Sequence, residues 1–306
     1  LCHDITQIIP GVTKDAVFRK GHIIREEDIP VLLSVGKDSV YIWENDETMM
    51  HENDAAEVLY RMTANEHMHP SDVKEGKIEA IADTEGLLKV DREKLKKVNA
   101  FGEMMIATRH GNTVVKKGDK LAGTRIIPLV IKKDKMQEAE KICDGTPILK
   151  ILPFTVKKAA IITTGNEVYH GRIKDAFTPV IEQKIAEFGA EMMFHEIFDD
   201  NDRKITDGCL RAIEAGADIV FCTGGMSVDP DDKTPLAIKN TGAEIISYGA
   251  PVLPGAMFLI SYYNGNVPIL GLPGCVMYAK RTIFDLVLPR IMADDEVTAE
   301  ELAALG

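Results

Sequence analysis

From Lys158 onward, apolar and polar stretches alternate with a regularity that the first half of the chain lacks. Ala159-Ala160-Ile161-Ile162-Thr163 and Ile219-Val220-Phe221-Cys222 are unbroken apolar runs of strand length, the profile of strands buried on both faces. Met192 to Phe198, Glu244 to Tyr248, Phe258 to Tyr263 and Val267 to Leu270 read as further strands, the last two joined by Asn264-Gly265-Asn266. The segments between them predict helices. Thr178 and Pro179 cap one that runs to Phe188 and stops at Gly189, and Asp199 to Asp202 start a second that ends near Gly216. Thr234 reads as the N-cap of a third, with Pro235 at its first position and its end at Asn240, and Gly271-Leu272-Pro273-Gly274 is expected to open the last helix. This alternation implies an α/β fold: a three-layer α/β/α domain around a mostly parallel sheet.

The preceding half is less regular and predicts a smaller α+β region, with residues 1–155 divisible near 75 and Pro153 marking the boundary to a domain over 156–306. Pro10-Gly11 signals a turn, Asp28 an N-cap with Pro30 in the first helical turn, and Val40-Tyr41-Ile42-Trp43 a strand. Ala55, Val58, Leu59 and Met62 recur at helical spacing, so a helix is expected from about Asn53 to Asn65, with others over Arg92 to Asn99 and Met136 to Cys143. Glu103 to Thr108 and the apolar run Ile126 to Ile131 read as strands. His67 and His69 lack a third ligand in reach, and His51 beside Glu52-Asn53-Asp54 reads as helix-start chemistry, so a metal site is not expected at either place. Arg109, His110, Lys116 and Lys117 form a basic cluster that reads as a solvated turn ahead of a phosphate-facing one.

Composition narrows the class. A chain of 306 residues that is 45% hydrophobic and 27% charged is an ordinary soluble globular protein, long enough for two cores. It has no apolar run of about 18 residues and no basic-then-apolar pattern at its amino end, so a cytoplasmic protein with no membrane partner is expected. That the chain opens on Leu1 rather than methionine makes the second absence weigh less. Five cysteines without CxxC spacing read as reduced, mostly buried thiols. The net charge of −12 argues against a nucleic-acid partner, but leaves room for a local anion site built from main-chain amides.

The chemistry concentrates between Asp218 and Pro235. Here a buried strand empties into Gly224 and Gly225, then Ser227, then Asp229, Asp231 and Asp232, before a helix begins. In open parallel sheets, ligands bind where strand carboxyl ends meet helix amino ends. Glycines let main-chain N–H groups approach an oxyanion, and Ser227 can add a hydroxyl donor. Crowded carboxylates repel unless solvated, capping or neutralised, and Mg²⁺ prefers such oxygens together with substrate phosphates. A Mg²⁺-assisted phosphate or pyrophosphate site is one reading; a solvated acidic turn whose aspartates cap the helix is the other. Thr164 to Glu167 and Gly271 to Gly274 also follow predicted strands, so three loops can converge on one anionic ligand. Tight strand-to-helix turns alone would also account for their glycines.

Thr164-Gly165-Asn166-Glu167-Val168, Thr223-Gly224-Gly225-Met226-Ser227 followed by Asp232, and Gly271-Leu272-Pro273-Gly274 together resemble the ordered motifs of the molybdopterin-binding domain. That domain is shared by molybdopterin adenylyltransferases and molybdopterin molybdotransferases, and the likeness covers roughly residues 158 to 291. It implies Asp232, with Asp231, as the metal-binding and catalytic aspartates, and Glu167 as the acid closing the first loop. It implies Thr164, Gly165, Asn166, Thr223, Gly224, Gly225, Ser227, Gly271, Pro273 and Gly274, with Pro254 and Gly255 of the rigid loop Pro251 to Gly255, as ligand-binding residues. Mg²⁺ and molybdopterin, or adenylylated molybdopterin with molybdate, are the implied cofactor and ligands, and a homo-oligomer the implied assembly. Three positions depart from the pattern: Asn166 stands where an acid is usual, Asp229 where glycine is, and Cys275-Val276 where Asn-Pro is. Asp231-Asp232-Lys233-Thr234 is also similar to the Asp-Asp-x-Thr of the competence-damage-like nucleotide (ADP-ribose) pyrophosphatases, a sister group on the same domain. A non-catalytic cofactor carrier or regulator is the third reading.

Overall fold

The computed structural model describes residues 1–9, 11, 13–41 and 46–306. Two compact units divide the chain: Leu1–Thr84 with Leu88–Gly111 and Val115–Ile151, and Glu85–Leu87 with Asn112–Val114 and Leu152–Gly306.

The second unit is built on a six-stranded sheet in the order Glu191–Phe198, Lys158–Thr164, Ile219–Thr223, Val267–Leu272, Leu259–Tyr263, Glu244–Tyr248. The first three pairings are parallel and the last two antiparallel. The apolar runs are continuous because each strand feeds two cores: successive side chains point to opposite faces. Ala159, Ile161, Ile219 and Phe221 join Ile181 and Ile185 of the helix Thr178–Ala186 and Phe284 and Val287 of the helix Ile283–Met292. Ala160, Ile162, Val220 and Cys222 join Cys209 and Ala212 of the helix Asp202–Glu214 and Ala237 and Ile238 of the helix Thr234–Asn240. Helices therefore cover both faces, giving three layers. In the paired registers Thr163 lies beside Thr223 and Thr223 beside Leu272, so three neighbouring parallel strands end on one edge.

Three local expectations are corrected. Thr178 is the first residue of its helix rather than its cap; the Asp175 carboxylate accepts the N–H groups of Phe177 at 2.8 Å and Thr178 at 3.1 Å instead. Thr234 likewise follows the N-cap Lys233, and its hydroxyl donates to Gly224 O at 2.8 Å. In both cases proline in the first turn starts the helix one residue earlier than the threonine-as-cap reading allows, freeing the hydroxyl for another partner. Gly271 to Gly274 does not open the last helix: Gly274–Met277 is a single 3₁₀ turn, and the helix Ile283–Met292 begins at a capping box between Thr282 and Asp285.

In the first unit, an antiparallel sheet runs in the order Met68–Pro70, Lys77–Ala82, Lys120–Ile126, Met104–Thr108. The helix Glu52–Thr63 buries Ala55, Val58, Leu59 and Met62 in the core that Met136 and Ala139 of the helix Lys133–Cys143 complete. The apolar run Ile126 to Ile131 is split between the end of Lys120–Ile126 and a short strand Val130–Lys132 that pairs with Met49–His51. A hairpin of Ile5–Ile9 and Thr13–Phe18 precedes the helix Ile29–Ser34; Pro10, and Ile42 and Trp43 of the expected strand, lie outside the described residues. His51 caps its helix, accepting from Asn53 N at 3.2 Å, and His69 pairs with Asp83 at 2.6 Å. Asp119 pairs with Arg109 at 2.9 Å and accepts the Lys116 N–H, which fits the solvated-turn reading of that basic cluster.

Candidate functional site

At the edge where the parallel strands end, the chain must turn from sheet to helix three times in a small space. The central turn needs its glycines. Gly224 has φ +81, and a Cβ there would lie 2.2 Å from Thr164 O, so the loop presses directly on the end of the neighbouring strand. Two threonines hold it: the Thr164 and Thr234 hydroxyls are 3.1 Å apart, and Thr234 N donates to Gly225 O at 3.3 Å. Gly255 packs as closely against the helix Ile283–Met292, where a Cβ would meet Ile283 Cγ2 at 2.5 Å.

A cleft of about 550 Å³ opens beside this turn. Gly224, Gly225, Ser227, Asp229 and Asp232 of the central loop line it, together with Gly255, Pro273 and Gly274. The other candidate residues are not in its wall. Thr164 sits behind the diglycine turn, Gly271 is a buried strand residue beside Cys222, and Thr223 is buried with its hydroxyl lacking a hydrogen-bond partner among the described residues. Pro254 is exposed, its carbonyl accepting from Ile283 N at 3.2 Å. Gly165 N donates to Phe198 O at 3.2 Å and Asn166 N to the Asp200 carboxylate at 3.1 Å, so the first loop leans toward the end of the strand Glu191–Phe198. Glu167 and Asp231 are exposed.

Asp200 links the first loop to the acidic one. Burial, and then the nearby charges of Glu167, Asp232 and Asp231, hold its carboxyl above the ordinary range against the Asn166 N–H, which favours the ionised form. Among the described residues none of Glu167, Asp229, Asp231 and Asp232 has an ion-pair partner. Burial and the charge of Asp232 also raise the Tyr248 phenol, whose hydroxyl donates to Met226 O at 3.1 Å. Carboxylate oxygens are hard donors, but these acids are not gathered into a ready-made metal site. No group of three or more metal-ligating side chains occurs among the described residues, so a hard cation would complete its shell with ligand or water oxygens. Asp200 was legible only as part of the Asp199 to Asp202 helix start; its place beside the site follows from strand order, which the sequence does not display.

The remaining wall is apolar and was not anticipated: Phe177, Met257, Met277 and Tyr278, with Cys275. Cys275 and Met277 come from the single 3₁₀ turn Gly274–Met277 and the others from loops, so no periodicity marks them. Phe177 is seated by Asp175, which accepts from the Thr178 hydroxyl at 2.5 Å and the Thr163 hydroxyl at 3.1 Å, with His195 Nε2 3.2 Å from both hydroxyls. Burial pushes the Asp175 carboxyl up, but these hydrogen bonds and those from the Phe177 and Thr178 N–H groups outweigh it and leave the carboxyl below its ordinary value. Of the departures from the motif pattern, Asp229 and Cys275 face the cleft while Val276 is buried in the core.

Residues 160–293 match the model of a family described as a probable molybdopterin binding domain, and residues 1–44 that of a domain of unknown function. A molybdopterin molybdenumtransferase of Nostoc sp. is 27% identical over 179 residues, 56% of this chain and 40% of the relative. A Bacillus velezensis protein named as competence-damage inducible is 32% identical over 85 residues, 28% of this chain and 20% of the relative. The chain thus spans less than half the length of these curated relatives. Among solved structures, the tungsten cofactor synthesizing protein MoaB of Pyrococcus furiosus is 20% identical, with a TM-score of 0.37 over 46% of this chain and 99% of that one. The motifs of the three loops all fall within the matched segment, and residues 160–293 match the molybdopterin-binding domain family.

Proposed function

We propose that the cleft binds molybdopterin, or its adenylylated form, through its phosphoryl group, as a step of molybdenum cofactor biosynthesis. The observation that carries this reading is the meeting of Gly224, Gly225, Ser227, Asp232 and Gly274 in one cleft at the carboxyl ends of parallel strands. Main-chain N–H groups of the glycine turns and the Ser227 hydroxyl hold the phosphoryl oxygens. Asp232 and Asp231 hold Mg²⁺, with Glu167 as a further carboxylate at the same edge. Bound there, the cation supplies Lewis-acid polarisation of a phosphoryl oxygen. The protein's own groups orient that oxygen, and the apolar wall keeps water from the opposite side of the ligand. Adenylyl transfer and hydrolysis coupled to metal insertion from molybdate use these same parts. A cytoplasmic homo-oligomer completes the reading.

A second reading has its own support. Asp231-Asp232-Lys233-Thr234 and the Bacillus relatives favour hydrolysis of a nucleotide diphosphate such as ADP-ribose. Purified protein incubated separately with molybdopterin and Mg²⁺-ATP, with adenylylated molybdopterin and molybdate, and with ADP-ribose distinguishes them by chromatography of the products. Consumption of a pterin substrate is expected. Consumption of ADP-ribose alone overturns the pterin reading, and pterin binding without turnover makes the protein a carrier.

A further inference from the structure

The cleft has two chemically different ends. One is main-chain amide, hydroxyl and carboxylate, from Gly224 to Asp232; the other is Phe177, Met277 and Tyr278. Tyr278 is 81% exposed and Met277 37%, so large side chains stand at the cleft margin rather than in a core. They are not on a loose segment. Tyr278 N donates to Cys275 O at 3.2 Å and Ala279 N to the same carbonyl at 2.8 Å, which ties the Tyr278 main chain to the 3₁₀ turn Gly274–Met277. Phe177 is held by its N–H bond to Asp175 at 2.8 Å. Tyr278 follows Gly274 by four residues, directly after the 3₁₀ turn. One short segment therefore carries both a cleft-lining glycine and an aromatic side chain at the cleft margin.

We propose that Tyr278, flanked by Phe177 and Met277, is the stacking platform that selects a phosphomonoester bearing a planar fused heterocycle over other phosphorylated compounds. A tyrosine ring offers a heterocycle a large face at low entropic cost while its hydroxyl stays in water. This assignment rests on the phosphoryl reading of the glycine loops. It makes Tyr278 a specificity residue rather than a source of phosphate affinity, and it requires no charge on the ring.

The test is calorimetric titration of the full chain in Mg²⁺ buffer with two probes that share a phosphoryl group and differ in the ring, AMP and ribose 5-phosphate. The parent is expected to bind AMP about tenfold or more tightly than ribose 5-phosphate, within the range measured for single-base stacking. Tyr278→Ala is expected to remove that preference by weakening AMP alone, and Tyr278→Phe to keep it. If both probes bind and Tyr278→Ala leaves their ratio unchanged, the platform is wrong while the phosphoryl site stands. If neither probe binds the parent, the phosphoryl reading fails and takes the platform with it.

Discussion

The acids where the parallel strands of the six-stranded sheet begin and those of the acidic loop where they end are partnered differently. At the edge where the parallel strands begin, Asp218 accepts the Lys158 N–H at 2.8 Å and Asp294 pairs with Lys157. The nearly buried Arg290 there binds both Asp295 and Glu301, the latter at 2.9 Å. At the edge where the strands end, Glu167, Asp229, Asp231 and Asp232 have no cationic partner among the described residues; burial, and then the charges of Glu167, Asp232 and Asp231, push the Asp200 carboxyl up. Paired acids close the last helix and the carboxy-terminal segment onto the domain. A carboxyl held up by burial and like charges, as Asp200 is, resists ionisation, and such perturbed groups cluster at functional sites.

Substitutions at the two edges should therefore separate stability from binding. Gly224→Ala has the largest expected effect, because the new Cβ would collide with a main-chain carbonyl. It should cost about 3 kcal/mol or more in urea denaturation and abolish AMP binding. Arg290→Ala, at the opposite edge, removes the buried cation that contacts both Asp295 and Glu301 and should cost about 1–3 kcal/mol while AMP binding to the folded fraction is unchanged. A loss of binding as large as the loss of stability would erase the distinction between the edges.

Asp175→Asn comes next, at about 1–2 kcal/mol near neutral pH, since an amide cannot accept the same set of hydrogen bonds. The Asp175 carboxyl titrates below its ordinary 3.8, so the ionised form stabilises the folded state fully above about pH 4. That contribution is lost as the pH falls through the lowered folded value. Denaturation curves of parent and variant should accordingly converge in acid and stay apart above it. Asp232→Asn should alter stability least, by under about 0.5 kcal/mol, with a slight gain the expected sign because it relieves repulsion around Asp200.

The sheet and the turns at its carboxyl edge were legible because burial on both faces leaves an unbroken apolar run, and because glycine marks where two strands crowd together; that Thr164 to Glu167 stand outside the cleft wall was not. Thr164, Gly224 and Thr234 illustrate the limit. Their residue types announced a turn and a cap, but the carbonyl that the Thr234 hydroxyl serves belongs to a loop ten residues earlier. Asp200 and His195 escaped notice for a related reason. Each sits on or after the strand Glu191–Phe198, whose place at the end of the sheet, beside Lys158–Thr164, is a matter of topology and not of local pattern. The apolar wall was hidden because Phe177, Met257 and Tyr278 come from three separate loops, each too short to show a period. The departures Asp229 and Cys275 could be read as changes from a motif, but only the fold shows them facing the cleft.

The most direct measurement of the central claim, that the unpaired acids at the strand ends serve a cation and a phosphoryl ligand, is the thermal midpoint of parent and Asp232→Asn with saturating AMP, with and without Mg²⁺. Ligand that binds only the folded state raises the midpoint through mass action. The account predicts a rise in the parent that requires Mg²⁺ and is largely absent in Asp232→Asn, although the two unliganded midpoints nearly coincide. Equal rises in both proteins, or a rise in the parent indifferent to Mg²⁺, would contradict it.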